Sequence, residues 1–307
     1  MVEEYYLKDN ETKALSRLRA RQFIHIHLKW KKMNQLNQSK PIKLSKIVAS
    51  VLVIVSLILG CSDDTQKVTN FNTLVMQDEF NTSGAPNPAT WNYNIGTGQN
   101  GWGNSELQYY TDRSKNVTVQ NGYLIITAEK ESFNGSAYTS ARLLTKGKFE
   151  QQYGRFEARM RLPWGQGLWP AFWMLGADID TNPWPAAGEI DIMEFRGQNP
   201  SVVLGTVHGP GYSAGESVSK SYTLKNGRFD TEFHVFGIEW GPEYVNFYVD
   251  NVLYNQITPA DVKGEWVFNK PFFILINLAV GGNFVGAPNS ETVFPQTLLV
   301  DYVRVYK

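Results

Sequence analysis

Glu189, Asp191 and Glu194 fall within six consecutive positions of the stretch GEIDIMEF, residues 188–195. Three carboxyls this close can do acid–base and nucleophilic work, provided the backbone aims them at one point. Ile190, Ile192, Met193 and Phe195 favour a strand, and side chains two apart on a strand share a face. Glu189 and Asp191 therefore share one. Glu194 has the wrong parity and joins them only if one extra residue is absorbed as a β-bulge at Ile192 or Met193, so that bulge is expected. The two glutamate Cα atoms then lie roughly 13 Å apart along the strand. Long side chains leaning together could approach the ~5–5.5 Å carboxyl separation that suits double displacement at a glycosidic bond. Asp191, between two like charges, raises at least one pKa of the group and lets neighbours share protons. One glutamate can then stay ionised while another stays protonated, as a nucleophile and a general acid require. The same alternation also describes an ordinary amphipathic strand with a solvated face. In that case the aligned carboxylates would repel, and only Arg196 is close in sequence to offset them.

The flanking residues favour the chemical reading. WGQGLWPAFWMLG, residues 164–176, precedes the carboxylates and is followed by Trp184. An indole offers a flat apolar face for the C–H side of a pyranose and an N–H for a hydroxyl. Trp169 and Trp173 are four apart and would share a strand face. Tryptophans of this density also serve as core, and a sandwich can use one sheet face for core and the other for a cleft.

The elements that must carry these residues read as strands. Residues 116–127 alternate around Asn121-Gly122, a dipeptide suited to a type I′ hairpin. Phe156, Ala158, Met160 and Leu162 share one face, and Arg155, Glu157, Arg159 and Arg161 the other, as in a half-buried strand. Residues 245–249 alternate into an Asp250-Asn251 turn, 272–280 are nearly all apolar as in a central strand, and 298–306 alternate. Long helical periodicity is absent. Many short strands divided by Gly, Pro, Asn and Asp imply two packed antiparallel sheets. The expected fold is all-β, a concanavalin A-like β-jelly-roll sandwich with Glu189, Asp191 and Glu194 on a concave face. An open groove there suits internal stretches of a polymer, hence endo cleavage.

Formal net charge over the 307 residues is zero, but residues 1–46 hold eleven basic against four acidic side chains and the remainder eighteen against twenty-five. A domain near −7 with no basic stripe argues against nucleic acid as a partner. Cys61 is the sole cysteine, which excludes an intrachain disulfide and a thiolate metal site. After it only His208 and His234 supply imidazoles, too few for a catalytic zinc of the usual kind.

Lys43 and Lys46 precede an apolar run, residues 47–59, that exits through Leu59-Gly60-Cys61. This has the charged start, short apolar middle and small-residue exit of a secretory signal, and Ile58-Leu59-Gly60-Cys61 resembles a bacterial lipobox, in which the cysteine is lipidated. A short membrane anchor is the alternative, though the run falls below the ~20 residues that normally span a bilayer. Three segments are expected: 1–61, an extension and lipoprotein signal with translation starting at Met33; 62–73, a flexible tether; and 74–307, one catalytic domain. For residues 1–32 a basic amphipathic functional segment is the competing reading. Outer-membrane attachment in a Gram-negative bacterium, facing surface or periplasm, and a monomeric state are the corresponding expectations.

From about Leu74 onward the chain resembles bacterial endo-β-1,3-glucanases, or laminarinases, of glycoside hydrolase family 16. The likeness rests on GWGNSELQYYT (101–111), YTSARLLTKGKFEQQYGRFEARMRLP (138–163), LWPAFWMLG, WPAAGEIDIMEFRG, TVHGPGYS (206–213), FHVFGIEW (233–240), NLAVGGNF (277–284) and VDYVRVY (300–306). The resemblance implies a retaining mechanism with Glu189 as nucleophile, Glu194 as acid/base and Asp191 tuning them. It implies that Asn104, Arg142, Trp169, Trp173 and His208 line the sugar cleft, and that catalysis needs no cofactor. It also implies a structural calcium at Asp301 with backbone carbonyls near Glu79 and Gly122, a donor set of hard oxygens that suits that ion; Asp301 could equally end a strand or bond locally. One departure is that family members usually carry Trp-Pro after GGN, where this chain has Phe284-Val285. Mixed-linkage β-1,3-1,4-glucan, agarose and carrageenan are alternative substrates, and a non-catalytic glucan-binding module is the alternative of another class.

Overall fold

The computed structural model describes residues 71–307. Seventeen strands follow in chain order. The first six are β1 (Leu74–Asp78), β2 (Asn92–Tyr93), β3 (Gln108–Tyr110), β4 (Val117–Gln120), β5 (Tyr123–Phe133) and β6 (Ser136–Ser140). Then come β7 (Arg142–Leu144), β8 (Gly154–Arg161), β9 (Leu168–Gly176), β10 (Glu189–Phe195), β11 (Val202–His208) and β12 (Val218–Thr223). The last five are β13 (His234–Gly241), β14 (Tyr244–Val249), β15 (Val252–Ile257), β16 (Phe272–Val280) and β17 (Gln296–Tyr306).

They form two sheets. The larger, of ten strands, runs β15-β14-β13-β8-β17-β5-β6-β3, with β1 beside β17 and β4 beside β5. The smaller, of seven, runs β12-β11-β10-β9-β16-β7-β2. Pairing is antiparallel save for β3 with β6. The all-β jelly-roll expectation holds. Thr73 already exchanges backbone hydrogen bonds with Lys307, at 3.1 and 2.8 Å, so ordered pairing reaches back into the last residue assigned to the tether. Residues 1–61, with Met33 and Cys61, and most of 62–73 lie outside the described residues.

The local chemistry explains the elements. Asn121-Gly122 joins β4 to β5 with φ of 55° and 79°, and Asp250-Asn251 joins β14 to β15 with 50° and 66°. Both turns place two residues in the left-handed region, as a type I′ hairpin demands. On β8, Phe156, Ala158 and Met160 are fully buried. Glu157 departs from the expected solvated face: it is only 4% exposed, held by Arg155 and the Tyr306 hydroxyl at 3.4 Å.

Between the sheets lies one continuous core in which Phe156, Ile238 and Trp240 meet Phe172, Met174, Ile190, Ile274 and Ile276. Trp240 spans the layers, 6.1 Å from the Phe156 ring and 5.2 Å from that of Phe272. Each such side chain contributes about 1.5–3 kcal/mol on burial. Even-numbered residues of β16 belong to this core, so alternation sends Phe273, Leu275 and Asn277 to the outer face of the smaller sheet. Leu144, Phe273 and Leu275 form a second apolar cluster there, against Trp173 and Leu175. That outer face carries the candidate site.

Candidate active site

β10 pairs with β9 on one side and β11 on the other, and its register slips on both. Asp191 faces Trp173 and Glu194 faces Ala171 on β9; Asp191 faces Thr206 and Glu194 faces Leu204 on β11. β10 thus advances three residues while each neighbour advances two. The extra residue is the expected bulge at Ile192–Met193, whose side chains are 1% and 0% exposed and both pack in the core. Turning two successive residues inward resets the alternation, and Glu194 emerges on the face of Glu189 and Asp191.

Neighbouring strands and loops complete the set. The indole N–H of Trp184 donates to Glu189 Oε2 at 2.8 Å. His208, opposite Glu189, accepts the Ala214 backbone N–H at Nδ1, 3.1 Å away, so the proton of the neutral ring sits on Nε2. That nitrogen lies 3.1 Å from Asp191 Oδ2 and 3.9 Å from Glu189 Oε1. The nearer contact lacks the alignment of a hydrogen bond, since Asp191 Oδ2 is left without one. Thr206 reaches Glu194 Oε2 at 3.5 Å and shares a 2.8 Å bond with Ser219. The Trp169 N–H faces Glu194 and favours its charged form, though outside hydrogen-bonding geometry with any group.

Burial dominates the electrostatics. It pushes the Glu189 carboxyl up to about 8, aided by the charge of Asp191 and opposed by His208. It lifts Glu194 to about 7, again against His208. Asp191 is raised well above the usual carboxylate range by burial and by Glu194. Glu189 and Asp191 each act on the other's ionisation, as neighbouring carboxyls able to share a proton do. Glu189 keeps 18% of its side chain accessible, so a substrate can reach it.

On the far side of β9, Arg142 lies between two indoles, its guanidinium 4.8 Å from Trp102 and 4.6 Å from Trp173. Trp173 donates to Asn277 Oδ1 at 2.7 Å. Trp169 packs 4.9 Å from Phe284, so the phenylalanine that departs from the family pattern still gives this edge an aromatic. Arg196 stacks 4.0 Å over the same ring; the cation nearest in sequence is thus engaged there. Asn104 sits in the loop before β3, its carbonyl bonded to the Asn283 N–H at 2.8 Å. The structure brings Arg142, Trp173, His208 and Trp169 around the acids, and Asn104 lies in the turn that also carries Trp102.

On the larger sheet, β1 and β5 share one edge of β17, with Asp78 opposite Val303 and Leu124 opposite Val300. Asp301 therefore faces the gap between Glu79 and Gly122. Its Oδ2 binds Arg159 at 2.5 Å, and the Glu79 side chain is held by Arg304 at 2.7 and 2.9 Å, so a cation in that gap would draw on main-chain carbonyls and on what Asp301 can spare from Arg159.

Three contributors escaped the sequence reading, Thr206, Trp102 and Asn277, and Trp184 was noted among the indoles without a place in the cleft. Thr206 precedes His208 by two and so shares its face, while Asn277 is a lone amide in an apolar strand. Those patterns were usable signals. Trp184 and Trp102 reach the site from loops, which no periodicity encodes.

A buried carboxyl trio flanked by an imidazole and indoles, on the outer face of a β-sandwich, defines a site for cleaving glycosides. The profile of glycosyl hydrolases family 16 matches residues 104–301; the chain belongs to that family and is a glycoside hydrolase. A beta-glucanase of Rhodothermus marinus is 44% identical over 280 residues, covering 86% of this chain and 96% of its own. Among solved structures, the endo-beta-1,3-glucanase from Pyrococcus furiosus is 45% identical with a TM-score of 0.75, over 80% of this chain and 98% of that one. The laminarinase catalytic domain from Thermotoga maritima MSB8 is 48% identical with a TM-score of 0.73, over 76% and 98%.

The raised carboxyl pKa values make stability depend on pH with a definite sign. Where the unfolded glutamate has ionised, above about 4.5, and the folded one has not, the native state binds more protons, so stability falls as pH rises towards about 8. Glu189→Gln removes that cost. Its melting temperature should exceed the wild type's by several degrees at about pH 9 and by far less at about pH 4. Circular-dichroism melts check this, and a pH-independent difference would refute it.

Proposed function

We propose that the protein is an endo-acting, retaining hydrolase of β-1,3-glucan. The observation that carries this is the bulge that puts Glu189 and Glu194 on one face with Asp191 between them. Glu189, oriented by the Trp184 N–H, attacks the anomeric carbon while Glu194 protonates the departing glycosidic oxygen. Glu194 then takes a proton from water, which displaces the sugar from the Glu189 ester. Asp191 accepts and returns the proton it shares with Glu189 as the charge on that residue changes. Contacts lie on both sides of the acids: Trp184 and His208 on one, Trp173 and Arg142 on the other. That suits an internal stretch of polymer. The β-1,3 linkage is supported by the relatives named for it. Laminarin should yield new reducing ends, with Glu189→Gln slower by about 10³-fold or more yet still binding. Parallel digestion of mixed-linkage glucan, agarose and carrageenan tests the polymer; binding without turnover would leave a glucan-binding module instead, and inverted product by NMR would refute retention.

A calcium at Asp301 and the main-chain carbonyls near Glu79 and Gly122 is proposed as a structural ion only. Their meeting at one gap on β17 supports it. Calcium at a hundred times its Kd should add about 2.7 kcal/mol of stability over chelator-treated protein, and identical melting curves would exclude the site.

Attachment to the outer membrane through a lipid on Cys61 is likewise proposed, supported by the basic residues and short apolar run ahead of it. Mass spectrometry of the mature terminus should find a lipidated Cys61. An intact Met1 terminus would overturn both processing and a start at Met33.

A further inference from the structure

Behind Arg142 and Trp173 runs a buried polar chain that the bond-breaking steps do not use. The Trp173 N–H donates to Asn277 Oδ1 at 2.7 Å. The other end of that amide, Nδ2, donates to the Tyr110 hydroxyl at 3.2 Å, and Tyr110 donates to Glu106 Oε2 at 3.2 Å. Gln108 Nε2 donates to the same carboxylate oxygen at 2.6 Å, while its Oε1 accepts the Val280 N–H at 2.7 Å. Tyr110 and Gln108 are fully buried and Asn277 is 6% exposed.

The chain has a direction. A phenol has one proton, so Tyr110 accepts from Asn277 most simply by giving its own proton to Glu106. Asn277 is thereby held with its carbonyl oxygen, not its amide nitrogen, towards Trp173. Reversing the amide would set two donors against each other and orphan a buried N–H.

Arg142 connects the chain to the acids. It is buried between Trp102 and Trp173 with its Nε unpaired. The two carboxylates whose charge stabilises it are Glu106 and Glu189. Glu106 thus holds one end of the hydrogen-bond chain, whose other end is the indole on which Arg142 stacks.

We infer that Glu106 is a positioning residue for the sugar-binding wall: as terminal acceptor of the Tyr110–Asn277–Trp173 chain, it fixes the orientation of Trp173 and, through the indole on which Arg142 stacks, that of Arg142. It touches neither sugar nor reacting atoms, so it sets affinity, not the chemical step. The inference rests on the glucanase reading of the same site.

Glu106→Gln keeps the shape and removes the charge. The expected result is a KM for laminarin raised about tenfold with kcat within about twofold. Tyr110→Phe removes two bonds of the chain and should move KM the same way by a smaller factor; it decides the matter where Glu106→Gln does not fold. The pH dependence separates positioning from general destabilisation. Burial raises the Glu106 carboxyl against the pull of Gln108, Arg142, Tyr110 and Asn104. On acidification it takes up a proton earlier than an ordinary glutamate, and the wild-type KM should climb towards the variant's, which lacks this titration. A kcat loss at unchanged KM, or the same KM profile in both proteins, would overturn the inference. Wild-type failure on laminarin would instead sink the β-1,3 assignment, and the KM comparison then runs on whichever polymer the parallel digestion shows to be cut.

Discussion

One extra residue in one strand governs the site. Without the bulge at Ile192–Met193, strict alternation would aim Glu194 into the core, where its carboxyl would be desolvated among Phe172, Ile190 and Ile276 with nothing to pair it. With the bulge, two apolar side chains enter the core in succession and the acid turns outward. The neighbours hold the irregularity firmly, because β9 and β11 both keep regular strand geometry across it and β9 is itself locked to the wholly buried β16 along nine paired positions. A kinked central strand between straight ones gives the acids a stiff mounting.

That mounting then sets the electrostatics. Three carboxyls in one half-buried patch cannot all ionise, and no arginine or lysine forms an ion pair with them among the described residues. The donors supplied are neutral, an indole and a hydroxyl, with the His208 ring beside them held by the Ala214 N–H. Neutral donors stabilise a carboxylate less than a guanidinium would. The group therefore retains protons near neutrality, the condition under which one acid can donate and its neighbour attack. A full ion pair at Glu194 would hold it ionised and unable to serve as the general acid proposed above.

What was legible in the sequence follows from what has a period. The β10 face, the type I′ hairpin at Asn121-Gly122, the turn at Asp250-Asn251 and the buried β16 follow from parity and turn residues, and the bulge from requiring Glu194 to join the other two acids. Glu157 was misplaced to solvent because alternation describes one sheet face at a time and is blind to Tyr306 and Arg155 covering the outer one. Arg196 was the nearest cation in sequence to the acids but stacks on Phe284, while His208, fourteen residues beyond Glu194, arrives through pairing of β11 with β10. The Tyr110–Asn277 bond joins residues 167 apart; nothing local to either foretells it.

The two sides of the acids are built differently, and the difference bears on how a polymer is held. On the β11 side Trp184 is 43% exposed and carried by a loop, so it can adjust to the chain it meets. On the β16 and β7 side Trp173 and Arg142 are fixed by buried hydrogen bonds and stacking. Immobilised side chains lose little entropy on binding, so the rigid side is suited to hold the sugar whose anomeric carbon must meet Glu189. The looser side can release the departing segment before water enters. The covalent intermediate proposed above would need that asymmetry, since one half of the substrate must stay while the other leaves, and the buried network behind Trp173 supplies the fixed half.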